Sequence, residues 1–243
     1  MINVLVNGAF GRMGQLTTKA ITAHPRLNLV GETSRGYELE KAIRDSSAQV
    51  VVDFTRPEIV FENAQRIIKA NAHPVIGTSG LTQTQIIELQ KECARKKLGG
   101  IIAPNFSLGA VLMMKYAVEI SQYMPTVEII ETHHPGKIDS PSGTAIRTAE
   151  LIAAAAPHIN QPPHQTSETL AGARGTNYKN INIHSVRLPG HIADQQVVFG
   201  NTGETLQIMH ATIDRECFMP GVCFACEKVV ELEELVLGLE KIL

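Results

Sequence analysis

Short apolar segments rich in valine, leucine and isoleucine alternate with amphipathic segments along roughly the first hundred residues. The apolar segments predict strands at residues 3–6, 27–31, 50–54, 74–77 and 100–103. The amphipathic segments between them predict helices at residues 14–23, 57–70 and 82–97. This alternation is typical of a parallel sheet with crossover helices, and nearly continuous apolar strands are typical of a sheet that is covered on both faces.

The pattern changes after about residue 105, where we expect a second, α+β domain with a mixed or antiparallel sheet. It predicts a helix at 108–123, a strand at 127–132 and a helix at 144–156. Pro162 and Pro163 begin a polar loop, and β-like segments follow at residues 181–188, 195–199 and 205–213, which predict an antiparallel meander. About the last 25 residues return to helical periodicity, and we expect them to pack on the first domain.

Composition excludes several classes of protein. The chain has 243 residues, enough for one large domain or two modest ones. Its 22 lysines and arginines against 24 aspartates and glutamates leave a formal charge of −2, which disfavours a generic nucleic-acid binder. A content of 44% hydrophobic and 19% charged residues disfavours disorder. The apolar runs are far shorter than the ~18 residues that span a bilayer, so we expect no membrane helix.

The amino terminus and the cysteines indicate a compartment. The first residues lack the basic segment and the cleavage site of a signal peptide, so we expect a cytoplasmic protein whose cysteines are thiols. Cys223 and Cys226 form a Cys-x-x-Cys pair inside a predicted helix at residues 219–230. This context favours buried helix cysteines over a redox or zinc site.

A glycine-rich turn follows the first predicted strand directly. Residues 8–14 read Gly-Ala-Phe-Gly-Arg-Met-Gly and open the first predicted helix. Glycines at such a turn allow the backbone to approach a pyrophosphate, whose charge is met by free N–H groups and by the positive end of the helix. Any tight turn uses glycine, but the position between a strand and a helix favours nucleotide binding.

The end of the second predicted strand indicates which cofactor is used. A carboxylate at this point binds the ribose 2′-OH of NAD, whereas an arginine accommodates the 2′-phosphate of NADP. Arg35 follows two hydroxyl residues here, so we expect NADPH to be preferred, with NADH possible. Two alternatives stay open: Arg35 is only an exposed turn residue, or Glu32 contacts the ribose. Further polar turns at residues 77–80 and 103–106 are candidates for ribose and nicotinamide contacts, and residues 53–55 end the third predicted strand at the same edge.

The densest group of polar residues lies between Glu131 and Ala145, in the sequence Glu-Thr-His-His-Pro-Gly-Lys-Ile-Asp-Ser-Pro-Ser-Gly-Thr-Ala. It begins at the end of a predicted strand and finishes at the start of a helix, which places His133, His134 and Lys137 on a loop beside a helix amino end. Imidazole transfers protons near neutral pH, and an ammonium group supplies positive charge. The Ser-Gly-Thr turn offers N–H groups to a carboxylate. The segment therefore indicates a site for an anionic substrate that is protonated as it reacts.

Other interpretations of this segment are weaker. Adjacent histidines in a strand point to opposite faces, and no ligand partner lies at metal-binding spacing, so we expect no metal ion. A solvated loop does not require two histidines, a lysine and a helix cap. Ser142 lacks the surrounding sequence of a hydrolase nucleophile.

Taken together, these segments resemble the bacterial 4-hydroxy-tetrahydrodipicolinate reductases, the dihydrodipicolinate reductase family of lysine biosynthesis. The resemblance rests on residues 8–14, 53–57, 77–80, 104–107 and 131–145, and it continues through Arg187, Gly190, Gly203-Glu204 and His210 to Arg215. It therefore covers nearly the whole chain. The segment 131–145 is its specific part, whereas the glycine turn is shared by many nucleotide-binding proteins.

The resemblance implies a homotetramer with a Rossmann-like dinucleotide-binding domain at residues 1–106 and 215–243. It implies a substrate-binding and oligomerisation domain at residues 107–214. The implied reaction is reduction of 4-hydroxy-tetrahydrodipicolinate (dihydrodipicolinate) to tetrahydrodipicolinate in the diaminopimelate pathway to lysine. NADPH or NADH would donate hydride to the ring carbon conjugated with the imine, with no nucleic-acid or membrane partner.

The resemblance also implies the site residues. His133 would be the proton donor or acceptor, and Lys137 would be its catalytic partner. His134, Gly143 and Thr144 would bind a substrate carboxylate. The residues implied to contact the cofactor are Gly8, Phe10, Gly11, Arg12, Met13, Arg35, Gly77, Thr78, Ala103, Asn105 and Phe106. Hydride addition to a dianionic ring builds negative charge, which nearby cations stabilise.

The chain departs from the family pattern at a few positions. Ser34 replaces a carboxylate that some members carry before the arginine, which favours NADPH. The second crossover is short, which leaves its helix boundaries undefined, and Gln195-Gln196 stand where a histidine is expected. A different dehydrogenase of amino-acid metabolism, or a non-catalytic NADPH-binding regulator, are the alternatives. Neither requires the histidine and lysine segment.

Overall fold

The computed structural model describes residues 1–161 and 167–243, which divide into two compact units. The first unit comprises Met1–Leu108 and Arg215–Leu243, and the second comprises Gly109–Asp214. The loop predicted at Pro162-Pro163 lies outside the described residues. Within the described ranges, no helix is both long enough and apolar enough to cross a membrane.

Strands and helices alternate through the first part of the chain: β1 (Ile2–Asn7), α1 (Arg12–Ala23), β2 (Leu27–Thr33), α2 (Leu39–Ser46), β3 (Val50–Asp53), α3 (Val60–Lys69), β4 (His73–Ile76), α4 (Gln83–Lys96) and β5 (Gly100–Ile102). The middle part contains α5 (Leu108–Ser121), β6 (Thr126–His133), α6 (Gly143–Ala155), β7 (Thr176–Tyr178), β8 (Ile181–Arg187), β9 (Ala193–Asn201) and β10 (Glu204–Thr212). The C-terminal segment contains α7 (Met219–Lys228) and β11 (Leu235–Leu237), with 3₁₀ turns at Arg215–Phe218, Val229–Glu231 and Leu239–Lys241.

The first unit is built on a six-stranded parallel sheet with the strand order β11-β5-β4-β3-β1-β2. This sheet confirms the predicted parallel architecture. Val50, Val51 and Val52 of β3 are completely buried, and burial of each such side chain contributes about 1.5–3 kcal/mol. The strand order changes direction at β1, which pairs with both β2 and β3. In doubly wound sheets, ligands bind beyond the carboxyl ends of the strands at this switch point.

Some elements of the first unit differ from the sequence-based expectations. Helix α2 supplies the second crossover, and Leu39 and Ile43 form its buried face. The prediction of helical structure through the C-terminal segment is correct for α7 but wrong for Leu235–Leu237, which pair with β5 as strand β11. The reason is that an apolar triplet too short for a helical period covers the open edge of β5.

Helix α7 contains the Cys-x-x-Cys pair. Cys223 and Cys226 are both buried thiols, as predicted. Burial raises the pKa of the Cys223 thiol to about 11 and raises that of Cys226 well above its ordinary value. Because the thiolate is the reactive form, both side chains are inert packing groups.

The second unit contains a five-stranded mixed sheet in the order β10-β9-β6-β8-β7. The predicted mixed sheet is confirmed, but the predicted antiparallel meander is wrong. Strands β9 and β10 form a hairpin, whereas β6 lies between β9 and β8 and runs parallel to β8. Because β6 pairs with β8 on one side and with β9 on the other, β8 and β9 are not neighbours and cannot form a meander.

Candidate functional site

In the glycine turn after β1, backbone atoms pack so closely against Gly8 and Gly14 that neither position has room for a side chain. Gly8 has a φ of +84°, and a methyl group there would lie 2.4 Å from the carbonyl oxygen of Phe54. A methyl group at Gly14 would lie 2.1 Å from the Gly8 carbonyl oxygen. Helix α1 begins at Arg12 with Gly11 as its N-cap, which has no side chain to occupy the first-turn N–H groups. The turn therefore fits a phosphate group, which such N–H groups bind.

The other predicted cofactor residues lie at the carboxyl ends of neighbouring strands. Phe10 and Arg12 are exposed, and Met13 is half-buried, on the turn and first helical residues after β1. Arg35 is exposed in a turn directly after β2, in which Tyr37 N donates to Ser34 O at 3.2 Å. An exposed guanidinium at this position can pair with a phosphate.

The turns after β4 and β5 pack around the ring of Phe54. A methyl group at Gly77 would lie 2.1 Å from the Phe54 ring. Phe106 contacts the same ring edge to face, with ring centroids 5.7 Å apart. Ala103 is buried beside β4, since its N–H donates to the Ile76 carbonyl at 2.9 Å. The remaining predicted residues of these turns are Thr78, which is buried, and Asn105, whose Oδ1 accepts from Ser107 N at 2.8 Å.

A buried carboxylate, that of Asp53, joins these turns, and no role was predicted for it. Asp53 is completely buried. Its Oδ2 accepts from Asn7 Nδ2 at 2.8 Å and from Asn63 Nδ2 at 3.0 Å. Its Oδ1 accepts from Thr78 Oγ1 and Thr55 Oγ1, both at 2.7 Å. An aspartate that ends an all-valine strand was the available signal, because buried carboxylates require partners.

The second unit has its own buried carboxylate, Glu131 of β6. Glu131 lies two residues before His133, so both side chains are on one face of the sheet. His133 is paired in register with Arg187 of β8. Arg187 binds the carboxylate bidentately, at 2.8 and 3.0 Å, and His133 Nδ1 lies 2.6 Å from Glu131 Oε2. The structure therefore brings together a histidine, an arginine and a glutamate.

The amino end of α6 is attached to the same carboxylate. Ser142 N donates to Glu131 Oε1 at 3.2 Å, and Ser142 Oγ accepts from Ala145 N at 3.2 Å as the N-cap of the helix. Gly143 and Thr144, which were predicted to bind a substrate carboxylate, follow as the first helical residues. A methyl group at Gly143 would meet open space. The helix start is therefore accessible next to an anchored cap.

Lys137 lies on the loop between His133 and α6. Its side chain is half-buried, and its ammonium group contacts both carboxylate oxygens of Asp139, at 2.8 and 2.9 Å. This contact with Lys137 lowers the pKa of the exposed Asp139 carboxyl. His134 is half-buried on the same loop, where its carbonyl accepts from Lys137 N at 3.1 Å. The predicted site residues of the second unit thus lie at one strand end, on the loop that follows it and at the start of α6.

The charges at this site act on the protonation of His133. Burial lowers the pKa of the His133 imidazole, the nearby cations Lys137 and Arg187 lower it further, and Glu131 opposes them. Burial alone would raise the pKa of Glu131, but hydrogen bonds from Arg187, Ser185 and His133 lower it. The site therefore holds an ionised glutamate beside a histidine that is neutral near pH 7. Among the described residues, no cluster of three histidine, cysteine, aspartate or glutamate side chains could bind a metal ion.

The structure places the glutamine pair that stands where a histidine is expected. Gln195 is buried, and its Nε2 donates to Thr148 Oγ1 at 2.7 Å. Thr148 Oγ1 in turn donates to the Thr144 carbonyl at 2.7 Å. Gln196 Nε2 instead donates to Gln207 Oε1 at 2.8 Å on the other face of the sheet. Gln195 therefore supports the first turn of α6, a role that depends on contacts between distant residues.

Comparisons with known proteins agree along the whole chain. The family model described as dihydrodipicolinate reductase, N-terminus, matches residues 2–106, and the one described as dihydrodipicolinate reductase, C-terminus, matches residues 109–243. A 4-hydroxy-tetrahydrodipicolinate reductase of Legionella pneumophila (strain Corby) is 54% identical over 242 residues, covering 99% of this chain and 98% of that protein. One of Coxiella burnetii (strain Dugway 5J108-111) is 52% identical and covers 100% of this chain and 99% of its own.

A solved structure extends the agreement to the fold. The dipicolinate-bound dihydrodipicolinate reductase from Paenisporosarcina sp. TG-14 matches with a TM-score of 0.92 and 41% identity, covering 100% of both chains. Both family models, the curated relatives and this structure cover the two units described above. The chain belongs to the dihydrodipicolinate reductase family.

Proposed function

We propose that the protein reduces 4-hydroxy-tetrahydrodipicolinate to tetrahydrodipicolinate with a nicotinamide cofactor, in the diaminopimelate route to lysine. The observation that carries the proposal is the segment from Glu131 to Thr144. It joins an oriented histidine, a half-buried lysine and an anchored helix start in one unit of a chain that is 52–54% identical to named reductases. A cyclic dicarboxylate needs the positive charge and the N–H donors that this segment supplies.

The roles in the second unit follow from the chemistry of each group. Gly143, Thr144 and His134 bind a substrate carboxylate, since helix-start N–H groups and imidazole N–H are hydrogen-bond donors. His133 and Lys137 are the catalytic pair. Two carboxylates of a bound substrate would favour the charged imidazole, so His133 takes up a proton as substrate binds and donates it to the ring when hydride is added, while the ring hydroxyl leaves as water. Lys137 stabilises negative charge as it develops on the ring.

The first unit holds the dinucleotide. The glycine turn and the start of α1 bind the pyrophosphate, and the turns after β4 and β5 bind the ribose and nicotinamide. The proposed contact residues are Gly8, Phe10, Gly11, Arg12, Met13, Arg35, Gly77, Thr78, Ala103, Asn105 and Phe106. Arg35 gives a preference for NADPH over NADH because its guanidinium pairs with the 2′-phosphate. When bound, the reduced nicotinamide supplies the hydride.

Two further properties belong to the proposal. We place the enzyme in the cytoplasm, which the free thiols of Cys93, Cys217, Cys223 and Cys226 support. We also propose a homotetramer that assembles through the second unit. Leu206, Met209 and Ile213, on or next to β10, are exposed and support such an interface.

The test is oxidation of NADPH and NADH, followed by absorbance, with the ring made in situ from pyruvate and aspartate semialdehyde by the preceding synthase. We expect turnover with both cofactors and a higher kcat/KM with NADPH. Lys137→Ala should lower kcat by ~10²-fold or more without weakening NADPH binding. Lys179→Ala is the matched control, because Lys179 lies over the ring of Tyr178, away from the loop. Tight NADPH binding without turnover would refute the proposed reaction.

A further inference from the structure

We propose that Glu131 is a positioning residue, which orients the imidazole of His133 and holds the amino end of α6 in register with it. The inference rests on the proposed function, because it assigns a supporting role within the same site. It concerns a residue that does not contact the substrate and that acts through its neighbours. Arg187 is part of the same arrangement.

Each oxygen of the Glu131 carboxylate accepts two hydrogen bonds. Oε2 accepts from His133 Nδ1 at 2.6 Å and from Arg187 Nη1 at 2.8 Å. Oε1 accepts from Arg187 Nη2 at 3.0 Å and from Ser142 N at 3.2 Å. A completely buried carboxylate is costly unless it is paired and hydrogen-bonded, and here each oxygen bridges two groups. Arg187 thus keeps Glu131 ionised while Glu131 serves two other residues.

The contact with Glu131 determines the tautomer of His133. An ionised carboxylate only accepts hydrogen bonds, so the contact at Nδ1 requires the proton to be on that nitrogen. The neutral imidazole then has its lone pair on Nε2, and Nε2 is the atom that takes up and returns a proton. Without Glu131, either tautomer would be available and the ring would lose its orientation. The carboxylate therefore selects the reacting nitrogen.

Glu131 also sets the distance between His133 and the amino end of α6, where we propose that a substrate carboxylate binds. Ser142 is the N-cap of α6, and its own N–H is held by Glu131. Gly143 and Thr144 follow it directly, so their position relative to His133 is set through one carboxylate. Catalytic groups must be held within about 0.5 Å of their productive geometry. Glu131 supplies that constraint between a strand and a helix that are joined by a loop in which residues 135, 136 and 138–140 are exposed.

A purely structural role is the competing interpretation, and the chain contains a matched control for it. Glu128 lies on the same strand, on the opposite face, and also contacts a histidine and an arginine: His184 Nε2 at 2.7 Å, and Arg174. Glu128→Gln and Glu131→Gln therefore remove the same charge from similar partners. If Glu131 only stabilises the sheet, the two variants should differ in stability alone.

The experiment compares wild type, Glu131→Gln, Glu131→Asp and Glu128→Gln in the NADPH oxidation assay across pH, with oligomeric state measured for each. We expect Glu131→Gln to lower kcat by about 10–100-fold, a loss typical of groups that orient a reacting residue, with NADPH affinity unchanged. Glu131→Asp should recover part of the loss because its charge is retained. Glu128→Gln should match wild type in kcat. If Glu131→Gln keeps a kcat within twofold of Glu128→Gln, the inference is wrong.

The pH profile is a second readout that a structural role would not change. The charged groups around His133 are Glu131, Lys137, Asp139 and Arg187. Among them, Glu131 raises the pKa of His133, so Glu131→Gln should move the limb of the kcat/KM profile that His133 controls to lower pH. An unchanged limb would contradict the inference.

A measurement on wild type covers the case in which Glu131→Gln does not fold. With ¹⁵N-labelled histidine, the neutral ring of His133, assigned by its absence in a His133→Asn variant, should carry its proton on Nδ1. A proton on Nε2 would overturn the inference. The two proposals fail in different ways: wild type without turnover refutes the function, whereas wild type with turnover and an Nε2 proton refutes only the role of Glu131.

Discussion

Replacement of Asp53 tests whether the carboxyl edge of the first sheet is held together by one buried carboxylate. In Asp53→Ala the buried side chains Asn7, Asn63 and Thr78 each lose a hydrogen bond to the carboxylate. Asn63 Nδ2 keeps Thr55 Oγ1, and Thr78 Oγ1 keeps the backbone carbonyl of residue 53, each at 3.2 Å, whereas the amide of Asn7 loses its acceptor. A buried donor without a partner costs about 1–3 kcal/mol and each other lost hydrogen bond about 0.5–1.5 kcal/mol, so we expect a total loss of about 3 kcal/mol. For a chain of this length, 1 kcal/mol corresponds to about 2–4 °C in Tm. We therefore expect Tm to fall by about 6–12 °C.

The assay is thermal and urea unfolding followed by circular dichroism, with NADPH affinity measured on the folded variant. Asp53→Asn is the informative second variant, since it keeps the shape but offers one acceptor oxygen in place of two. It should lose less stability than Asp53→Ala and still weaken NADPH binding, because Thr78 and the turn after β3 would shift. Glu58→Ala, an exposed acid before α3, is the control and should change Tm by less than about 2 °C. If Asp53→Ala unfolds within 2 °C of wild type, the network is not what holds this edge.

Further predictions concern the glycine turn, the cofactor and pH. Arg35→Ala should raise KM for NADPH about 10-fold and leave KM for NADH within about twofold, because one phosphate contact is lost; equal effects on both cofactors would contradict this. Gly14→Ala should abolish NADPH binding and lower Tm, since its methyl group would meet the Gly8 carbonyl oxygen at 2.1 Å, whereas Gly200→Ala, with nothing within 4 Å, should do neither. The pKa of His133 is lowered in the folded state, so the unfolded chain binds more protons below the ordinary pKa of 6.5. Stability should therefore fall as pH drops from about 7 to about 5, and His133→Asn should make this slope shallower in urea titrations.

Sequence periodicity predicted strands β1 to β5 because most of them, such as β3, β4 and β5, are buried on both faces and helices separate them along the chain. Such strands are recognised one at a time, and the parallel arrangement follows from the crossovers. The order of the second sheet did not follow, because β6 pairs with β8 across an intervening helix and loop. Nothing local distinguishes a central strand from an edge strand when both alternate. The short strand β11 was missed for a related reason: its three residues become a strand only beside β5.

The candidate site divides in the same way. Residue types and spacing were sufficient to select His133, Lys137 and the Ser-Gly-Thr helix start, since these lie within one segment of the chain. The supporting contacts were not accessible, because Glu131 and Arg187 are 56 residues apart and meet only through the pairing of β6 with β8. Gln195 likewise meets Thr148 across 47 residues. The groups proposed to react lie in one short motif, and the groups that contact them are distributed over the sheet.

Asp53 and Glu131 are both buried carboxylates that require hydrogen-bond partners, but their partners differ, and their roles follow from that difference. Within the described chain, the donors to Asp53 are amides and hydroxyls, whose protonation does not change near neutral pH. Glu131 instead binds a guanidinium and an imidazole. A change at Asp53 should therefore act on stability and cofactor binding at every pH. A change at Glu131 must also alter the charge balance of His133, so its effect on turnover depends on pH. Burial alone would not separate the two residues, whereas the ionisation of their partners does.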